Sequence, residues 1–251
     1  MESVSLDRFV PVARRPAPWR VIPDASAHLI VHLYEPAARI VGRAAYRCRL
    51  VGPRSVYADV DQRGRSRTLV LTLRPGALAA LAGMPADELA DHALDPRDLW
   101  PAEYDELLEE ALAPALDPAL DPAAQIRALA ALLRRRARAA APPAPAALLA
   151  ALGVARRCAG RCTVDAVAAH VGVSGRHLRA LFLRHVGLPP KRVLRIARVR
   201  EVIARMSGAN GDWARRAADH GYFDQAHLIH DFEALLGESP ERFRERCVRE
   251  G

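Results

Sequence analysis

The chain has 251 residues, of which 51% are hydrophobic and 26% charged, and its formal net charge is +8. This length allows one large or two ordinary domains, each with its own core. No segment has the run of about 18 apolar residues that a membrane span needs, and the N-terminus lacks the layout of a secretion signal. We therefore expect a cytoplasmic protein without a membrane segment.

Residues 19–74 alternate short β-prone runs with Pro, Gly, Asp and Ser, which is typical of a small antiparallel sheet or half-barrel. The runs are WRVI, AHLIVHLY, ARIVG, YRCRLVG, SVYADV and RTLVLTLR. After Arg74-Pro75-Gly76 the apolar period is nearer to about 3.6, and prolines divide the chain into short helices. The helical segments are ALAALAG, ADELADHAL, EYDELLEEALA and residues 123–138.

The segment APPAPA at 141–146 is the best linker candidate, because successive prolines favour an extended conformation that a helix cannot absorb. We therefore predict a sensor or dimerisation domain at 1–140, a linker at 141–145 and a second domain at 146–251. The predicted fold class is α+β. The first domain is β-rich, cupin-like or half-barrel, with trailing helices, and the second is all-α.

The last third of the chain carries one pattern twice, at a constant offset of 50 residues. His177-Leu178, Phe182, Gly187 and Pro190 recur as His227-Leu228, Phe232, Gly237 and Pro240. Such a repeat indicates two similar helical modules side by side. We interpret them as two helix-turn-helix units with N-caps at Ser174 and Asp224, because two recognition helices at a fixed separation suit consecutive turns of a DNA major groove.

The positive charge lies on the same segment as the repeat. Residues 151–251 hold 18 Lys and Arg against 11 Asp and Glu, a net of +7, whereas residues 1–150 have a net of +1. A basic domain beside a nearly neutral one is the charge distribution expected of a nucleic-acid-binding protein with a separate second module.

The repeat resembles the DNA-binding domain of the AraC/XylS family of transcription regulators over residues 146–251. VAAHVGVSGRHLRALFLRHVGLPPKRVL is similar to the first helix-turn-helix of that family, and AADHGYFDQAHLIHDFEALLGESPERFR to the second. Gly221 to Arg244 follows nearly all of the pattern G-[YF]-x-[DS]-Q-x-H-[LF]-x-x-x-F…G-x-[ST]-P-x-x-[FY]-R. The motifs IPDASAHLIVHL and VGPRS resemble an uncharacterised domain that precedes AraC-type regulators.

The resemblance implies that the helices starting at Ser174 and Asp224 read double-stranded DNA at a promoter-proximal operator. The implied base contacts are Arg176, His177 and Arg179 in the first helix and Gln225, Ala226, His227 and His230 in the second. The implied phosphate contacts are Arg184, Arg192 and Arg195. Arg can bind O6 and N7 of guanine, and Gln can bind N6 and N7 of adenine. Each of these side chains has the alternative of staying solvated or packing at a helix end.

The resemblance also implies contact with RNA polymerase, and activation is commoner in the family than repression. A small-molecule effector and a homodimer stay open, and no cofactor is expected. The chain has no P-loop, GxSxG, HExxH or zinc-finger spacing, so we expect no enzyme. The alternative is an N-terminal catalytic or ligand-storage domain with an auxiliary DNA-binding tail.

Two further groups of residues could hold a metal or react with oxidants. His28, His32 and Glu35 lack the HxH…E layout of a metal cupin, so we favour structural packing. Cys158 and Cys162 could sense an oxidant or a thiophilic metal. We favour chance placement and expect free thiols.

Overall fold

The computed structural model describes residues 19–32, 48–60, 68–112, 122–140, 144–206 and 212–250. Its first part contains two antiparallel sheets. The strands are β1 (Trp19–Val21), β2 (Ala27–His32), β3 (Cys48–Val51), β4 (Ala58–Val60), β5 (Thr68–Leu73) and β6 (Ala93–Leu94). Strands β1 and β4 form a two-stranded sheet, and the other four form a sheet of order β5-β2-β3-β6.

The four-stranded sheet buries one of its faces. Ala27, Leu29 and Val31 of β2 are buried because alternate side chains of a strand lie on the same face. In the register of the sheet, Leu29 lies opposite Leu50 of β3 and Leu71 of β5. These leucines form the centre of the N-terminal core.

Helices cover that face. They are α1 (Leu78–Ala82), a 3₁₀ helix (Ala86–Leu89), α2 (Pro96–Leu99), α3 (Tyr104–Leu112) and α4 (Pro122–Ala140). Trp100 is fully buried, and its indole Nε1 donates a hydrogen bond to the Leu81 carbonyl at 3.2 Å. Leu129 and Leu133 of α4 complete the core. The predicted β-rich domain with trailing helices is confirmed.

The helix predicted for ADELADHAL is wrong beyond its first turn. The 3₁₀ helix stops at Leu89, Ala90 is extended, and Asp91 adopts a left-handed φ of 60° that an α-helix cannot contain. The chain then enters β6, where Leu94 pairs with Leu50. The predicted strand ARIVG and most of the predicted linker lie outside the described residues, and the domain boundaries stay predictions.

The second part of the chain is all helical, as predicted. Its helices are α5 (Ala146–Arg157), α6 (Val164–His170), α7 (Gly175–Val186), α8 (Pro190–Ala204), α9 (Trp213–Asp219), α10 (Gln225–Leu236) and α11 (Pro240–Glu250). Leu178 and Phe182 share one core with their repeat equivalents, Leu228 and Phe232. Within the described residues, no helix has the length and apolar character needed to cross a membrane.

The two parts are in contact. Ile22, Ala25 and Ala90 of the N-terminal part pack against the C-terminal core. Helix α1 and the 3₁₀ helix both contact α7. Through these two helices the N-terminal part touches α7, the first of the two predicted recognition helices.

His32 provides a test of the N-terminal core. Its side chain is buried at the end of β2, and burial lowers its pKa to about 4. Between about pH 6.5 and pH 4 the unfolded chain binds a proton at this residue that the folded chain does not, so stability falls as the pH falls. We expect His32→Leu to remove up to about 3 kcal/mol of this acid destabilisation.

Urea unfolding across this pH range measures the effect, with the exposed His170 changed to Leu as the control. The control should keep the wild-type pH dependence. If the free energy of unfolding of His32→Leu falls with pH as steeply as that of the wild type, buried His32 is not the cause of the acid destabilisation.

Candidate DNA-binding site

The first helix-turn-helix unit consists of α6, a short turn and α7. The Thr163 hydroxyl accepts a hydrogen bond from the Ala166 amide at 3.1 Å, and the Ser174 hydroxyl accepts one from the His177 amide at 3.1 Å. Each hydroxyl satisfies an amide that the first turn of a helix leaves without an internal partner. The predicted N-cap at Ser174 is confirmed.

Helix α7 has one buried and one exposed side. Leu178, Leu181 and Phe182 are buried, at the i, i+3 and i+4 spacing of one helix face. The predicted base contacts of this unit, Arg176, His177 and Arg179, are all exposed, as is Arg184. The structure therefore brings these predicted residues together on the solvent side of α7.

The second unit repeats this arrangement with α9 and α10. The Asp224 carboxylate accepts a hydrogen bond from the His227 amide at 2.8 Å, which confirms the predicted N-cap. Leu228 and Phe232 are buried. The predicted base contacts of this unit, Gln225, Ala226, His227 and His230, are all exposed.

The turn before α10 is anchored by one aromatic residue and exposes another. Tyr222 is buried, burial raises its pKa, and its ring meets the His227 ring edge-on with centroids 5.2 Å apart. His227 therefore packs at the helix start while staying exposed. Phe223 is 92% exposed, a feature that the sequence analysis missed.

An ion pair joins the connecting helix α8 to α10. Arg195 Nε donates to the Asp231 carboxylate at 2.9 Å, and Nη2 lies 2.6 Å from the same oxygen. The Asp231 side chain is only 3% exposed, and a buried carboxylate requires such a partner. The observed partner of Arg195 thus lies within its own domain, and its predicted phosphate contact stays a prediction.

Replacing Arg195 should destabilise the fold. Arg195→Met leaves Asp231 buried without this cation, and because Arg195 is partly exposed we expect a loss of about 2–3 kcal/mol in the free energy of unfolding. Arg192→Met, on the same helix, should change it by less than about 0.5 kcal/mol. Urea denaturation followed by circular dichroism measures both. Equal losses in the two variants would contradict a supporting role for Arg195.

A loop of the N-terminal part, residues 53–57, and the neighbouring strand β1 both reach α10. The Tyr57 amide donates a hydrogen bond to the Leu235 carbonyl at 2.8 Å. Beside it, Arg20 Nη1 donates to the Leu236 carbonyl at 2.8 Å. The last carbonyls of a helix have no partner within the helix, so these two donors satisfy two of the carbonyls at the end of α10.

The 53–57 loop touches equivalent points of both units. Gly187 and Gly237 end α7 and α10 in the left-handed conformation. A Cβ on Gly237 would lie 2.3 Å from Cε1 of Tyr57. A Cβ on Gly187 would lie 2.6 Å from the Ala86 carbonyl oxygen of the 3₁₀ helix and 2.9 Å from Cγ of Pro53. Only glycine allows so close an approach, so the loop is seated against the ends of both recognition helices.

Arg20 and Tyr57 hold each other in this position. The Arg20 guanidinium lies 4.0 Å from the centre of the Tyr57 ring and donates to both carboxylate oxygens of Asp59, at 2.8 and 3.0 Å. Arg20 and Tyr57 lie in the predicted β-runs WRVI and SVYADV, but nothing in the sequence indicated that either residue contacts the second part of the chain. The VGPRS motif ends two residues before Tyr57.

The close contact at Gly237 can be tested against a matched glycine. Gly237 and Gly172 have the same φ of +70°, but nothing among the described residues lies within 4 Å of a Cβ on Gly172. Both substitutions to Ala carry a left-handed strain of about 1–2 kcal/mol. Gly237→Ala should lower the free energy of unfolding by at least about 1 kcal/mol more than Gly172→Ala does, because the added methyl group overpacks against Tyr57.

Urea denaturation of both variants measures this difference, and a Tyr57→Ala background should remove it. If the extra cost of Gly237→Ala persists without the Tyr57 ring, the contact does not cause it.

The two other candidate groups lie in β2 and after the end of α5. His28 lies 3.2 Å from both Asp24 and Thr72, and Glu35 lies outside the described residues. Within the part of the chain that the structure describes, no group of three or more His, Cys, Asp or Glu could hold a metal. Cys158 and Cys162, expected as free thiols, form a disulfide because the end of α5 brings their Cα atoms to 5.9 Å.

Comparison with known families matches both parts of the chain. Residues 167–246 match a family described as a helix-turn-helix domain, and residues 7–95 match one described as a domain of unknown function, DUF6597. None of the curated proteins matches the chain significantly.

Solved structures of ToxT from Vibrio cholerae are similar to this chain. ToxT of strain SCE256 with a bound unsaturated fatty acid is 10% identical, with 90% of this chain and 88% of that chain covered and a TM-score of 0.49. ToxT of strain O395 bound to (E)-4-(8-methylnaphthalen-1-yl)but-3-enoic acid is 9% identical, with coverages of 91% and 93% and a TM-score of 0.49.

Residues 167–246 therefore form a helix-turn-helix domain of the AraC type. In this chain that domain follows an N-terminal DUF6597 domain.

Proposed function

We propose that this protein is a sequence-specific DNA-binding transcription regulator and that α7 and α10 read two neighbouring segments of one major groove. The observation that carries the proposal is that all seven predicted base contacts are exposed on two repeat-related helices whose opposite faces share one core. A common core keeps the two helices at a constant separation, which reading two adjacent groove segments requires.

The chemistry of the exposed side chains suggests their targets. Arg176 and Arg179 suit guanine, and Gln225 suits adenine. Ala226 and the exposed Phe223 offer apolar contact to a thymine methyl group, whereas His227 and His230 can donate a hydrogen bond from a ring nitrogen. The proposed specificity thus combines guanine contacts by α7 with adenine and thymine contacts by α10.

We assign non-specific affinity to the cations around these helices. Arg184 is exposed and Arg192 partly so, and the segment from 151 to 251 carries a net charge of +7. Phosphate contacts of this kind hold the protein in register and make affinity fall with rising salt, but they carry no sequence information.

Selection of genomic fragments with the purified full-length protein, followed by footprinting, tests the proposal. We expect one enriched motif with two protected segments about one helical turn apart. Failure to retain any duplex at moderate salt would overturn it.

Two arginines should behave differently on the selected site. Arg176→Ala should cost about 1–3 kcal/mol of binding free energy on that site and relax the base preference at one position. Arg192→Ala should weaken binding to all sequences alike and lower the salt slope by about one. Fluorescence anisotropy titrations on specific and scrambled duplexes at several salt concentrations measure both. Equal losses on every duplex for both variants would contradict the assignment of Arg176.

We further propose that the N-terminal domain controls DNA binding through the 53–57 loop. This loop and Arg20 supply hydrogen bonds to the end of α10, and the loop also abuts the end of α7. A rearrangement of β1 and β4 on binding an effector would change these contacts first. An effector acting in this way needs only to favour one of the two arrangements.

The remaining parts of the proposal follow from the class of regulator. We propose a cytoplasmic transcription activator that binds beside a promoter, contacts RNA polymerase and forms a homodimer. Reporter transcription with and without the protein distinguishes activation from repression, and light scattering gives the oligomeric state.

A further inference from the structure

The turn between α5 and α6 contains a pair of cysteines. Cys158 and Cys162 are half-buried and disulfide-bonded. Between them, Ala159 and Gly160 have left-handed φ angles of 48° and 73°. An alanine in this conformation is strained. The cross-link holds the turn together with backbone hydrogen bonds from the Gly160 amide to Ala155 and from the Arg161 amide to Cys158.

This turn supports the connecting helix α8. The Gly160 carbonyl accepts hydrogen bonds from Arg198 Nε at 3.1 Å and Nη2 at 2.8 Å. A Cβ on Gly160 would lie 2.1 Å from the Leu194 carbonyl oxygen, so the turn lies directly against the backbone of α8. The same Arg198 guanidinium lies 5.1 Å from the centre of the Tyr222 ring.

The turn also touches the second helix-turn-helix unit. Arg161 donates to the Cys158 carbonyl at 3.2 Å and lies 3.5 Å from the Asp219 carbonyl through Nη1. Its side chain packs over Gly221 in the turn before α10. The cysteine turn therefore connects to α10 by two routes, one through Arg198 and Tyr222 and one through Arg161.

We propose that Cys158 and Cys162 are a reversible oxidation site and that their disulfide raises the affinity of the regulator for its operator. This inference rests on the proposed function. Reduction removes the cross-link, which lets the strained turn relax and withdraw the Gly160 carbonyl from Arg198. The second reading helix then loses its constant orientation relative to the first.

Hydrogen peroxide is a sufficient oxidant for the reaction. One thiolate attacks a peroxide oxygen, the O–O bond breaks, and a sulfenic acid and hydroxide form. The second thiolate attacks the sulfenic sulfur, the S–O bond breaks, and the disulfide forms with loss of a second hydroxide. The two thiols supply the two electrons, the two hydroxides are protonated to water, and a cellular dithiol reverses the change.

The other two cysteines allow a clean experiment. Cys48 is buried in the N-terminal core, and burial raises its pKa to about 12, which keeps its thiol protonated and unreactive. Cys247 is exposed and lies outside the disulfide. Cys247→Ser is therefore the background in which intermolecular cross-links are avoided.

The test compares full-length protein treated with dithiothreitol or hydrogen peroxide. Alkylation and peptide mass spectrometry should show Cys158 and Cys162 joined after peroxide and alkylated after dithiothreitol. On the selected duplex, the oxidised protein should bind at least about fivefold more tightly than the reduced protein. Cys158→Ser and Cys162→Ser should bind like the reduced protein under both conditions, with unchanged circular dichroism.

Each other outcome is decisive. If no 158–162 disulfide forms, or if both forms bind the duplex equally, the inference is overturned. If neither form binds any duplex, the proposed function fails, and the effect on affinity fails with it. Mass spectrometry still shows in that case whether the pair is reversibly oxidised. If a serine variant loses its helical signal, the comparison of the two redox states of the Cys247→Ser protein decides alone.

Discussion

The burial of equivalent apolar faces in one core is the constraint on which the rest of the C-terminal structure depends. Leu178 and Phe182 of α7 and Leu228 and Phe232 of α10 are almost completely buried in that core. Because those faces point inward, the remaining face of each helix is presented to solvent. The exposure of the predicted reading residues is thus a consequence of packing, and it needs no separate stabilising interaction.

Polar contacts then determine how the two helices sit relative to each other and to the N-terminal domain. The Arg195–Asp231 pair joins α8 to α10, and Tyr57 and Arg20 bind the carbonyls at the end of α10. Hydrogen bonds depend on direction much more strongly than apolar contacts do. Under the proposed control of DNA binding, these few interactions are the points at which a change in the N-terminal domain or in the cysteine turn would reorient a helix.

The elements that the sequence predicted well are those with local causes. Ser174 and Asp224 cap helices through their own neighbouring amides, and the 50-residue repeat reports two copies of one packing pattern. Contacts between distant residues left no such signal. Nothing in the sequence around Asp231 indicates that its carboxylate pairs with Arg195. The contact of the Tyr57 ring with Gly237 likewise forms only when both parts of the chain have folded. The ADELADHAL segment failed because the left-handed Asp91 overrides an apolar pattern that reads as helical.

The bond from the Tyr57 amide to the Leu235 carbonyl joins main chain to main chain. Such a bond depends little on which side chains occupy the two positions. The neighbouring Gly237 is different, because a methyl group there would collide with the Tyr57 ring. Side-chain chemistry enters the junction separately, through the Arg20 guanidinium that donates to the Leu236 carbonyl. The junction thus divides into a main-chain bond that is insensitive to substitution and side-chain contacts of Arg20, Tyr57 and Pro53 that a substitution would remove.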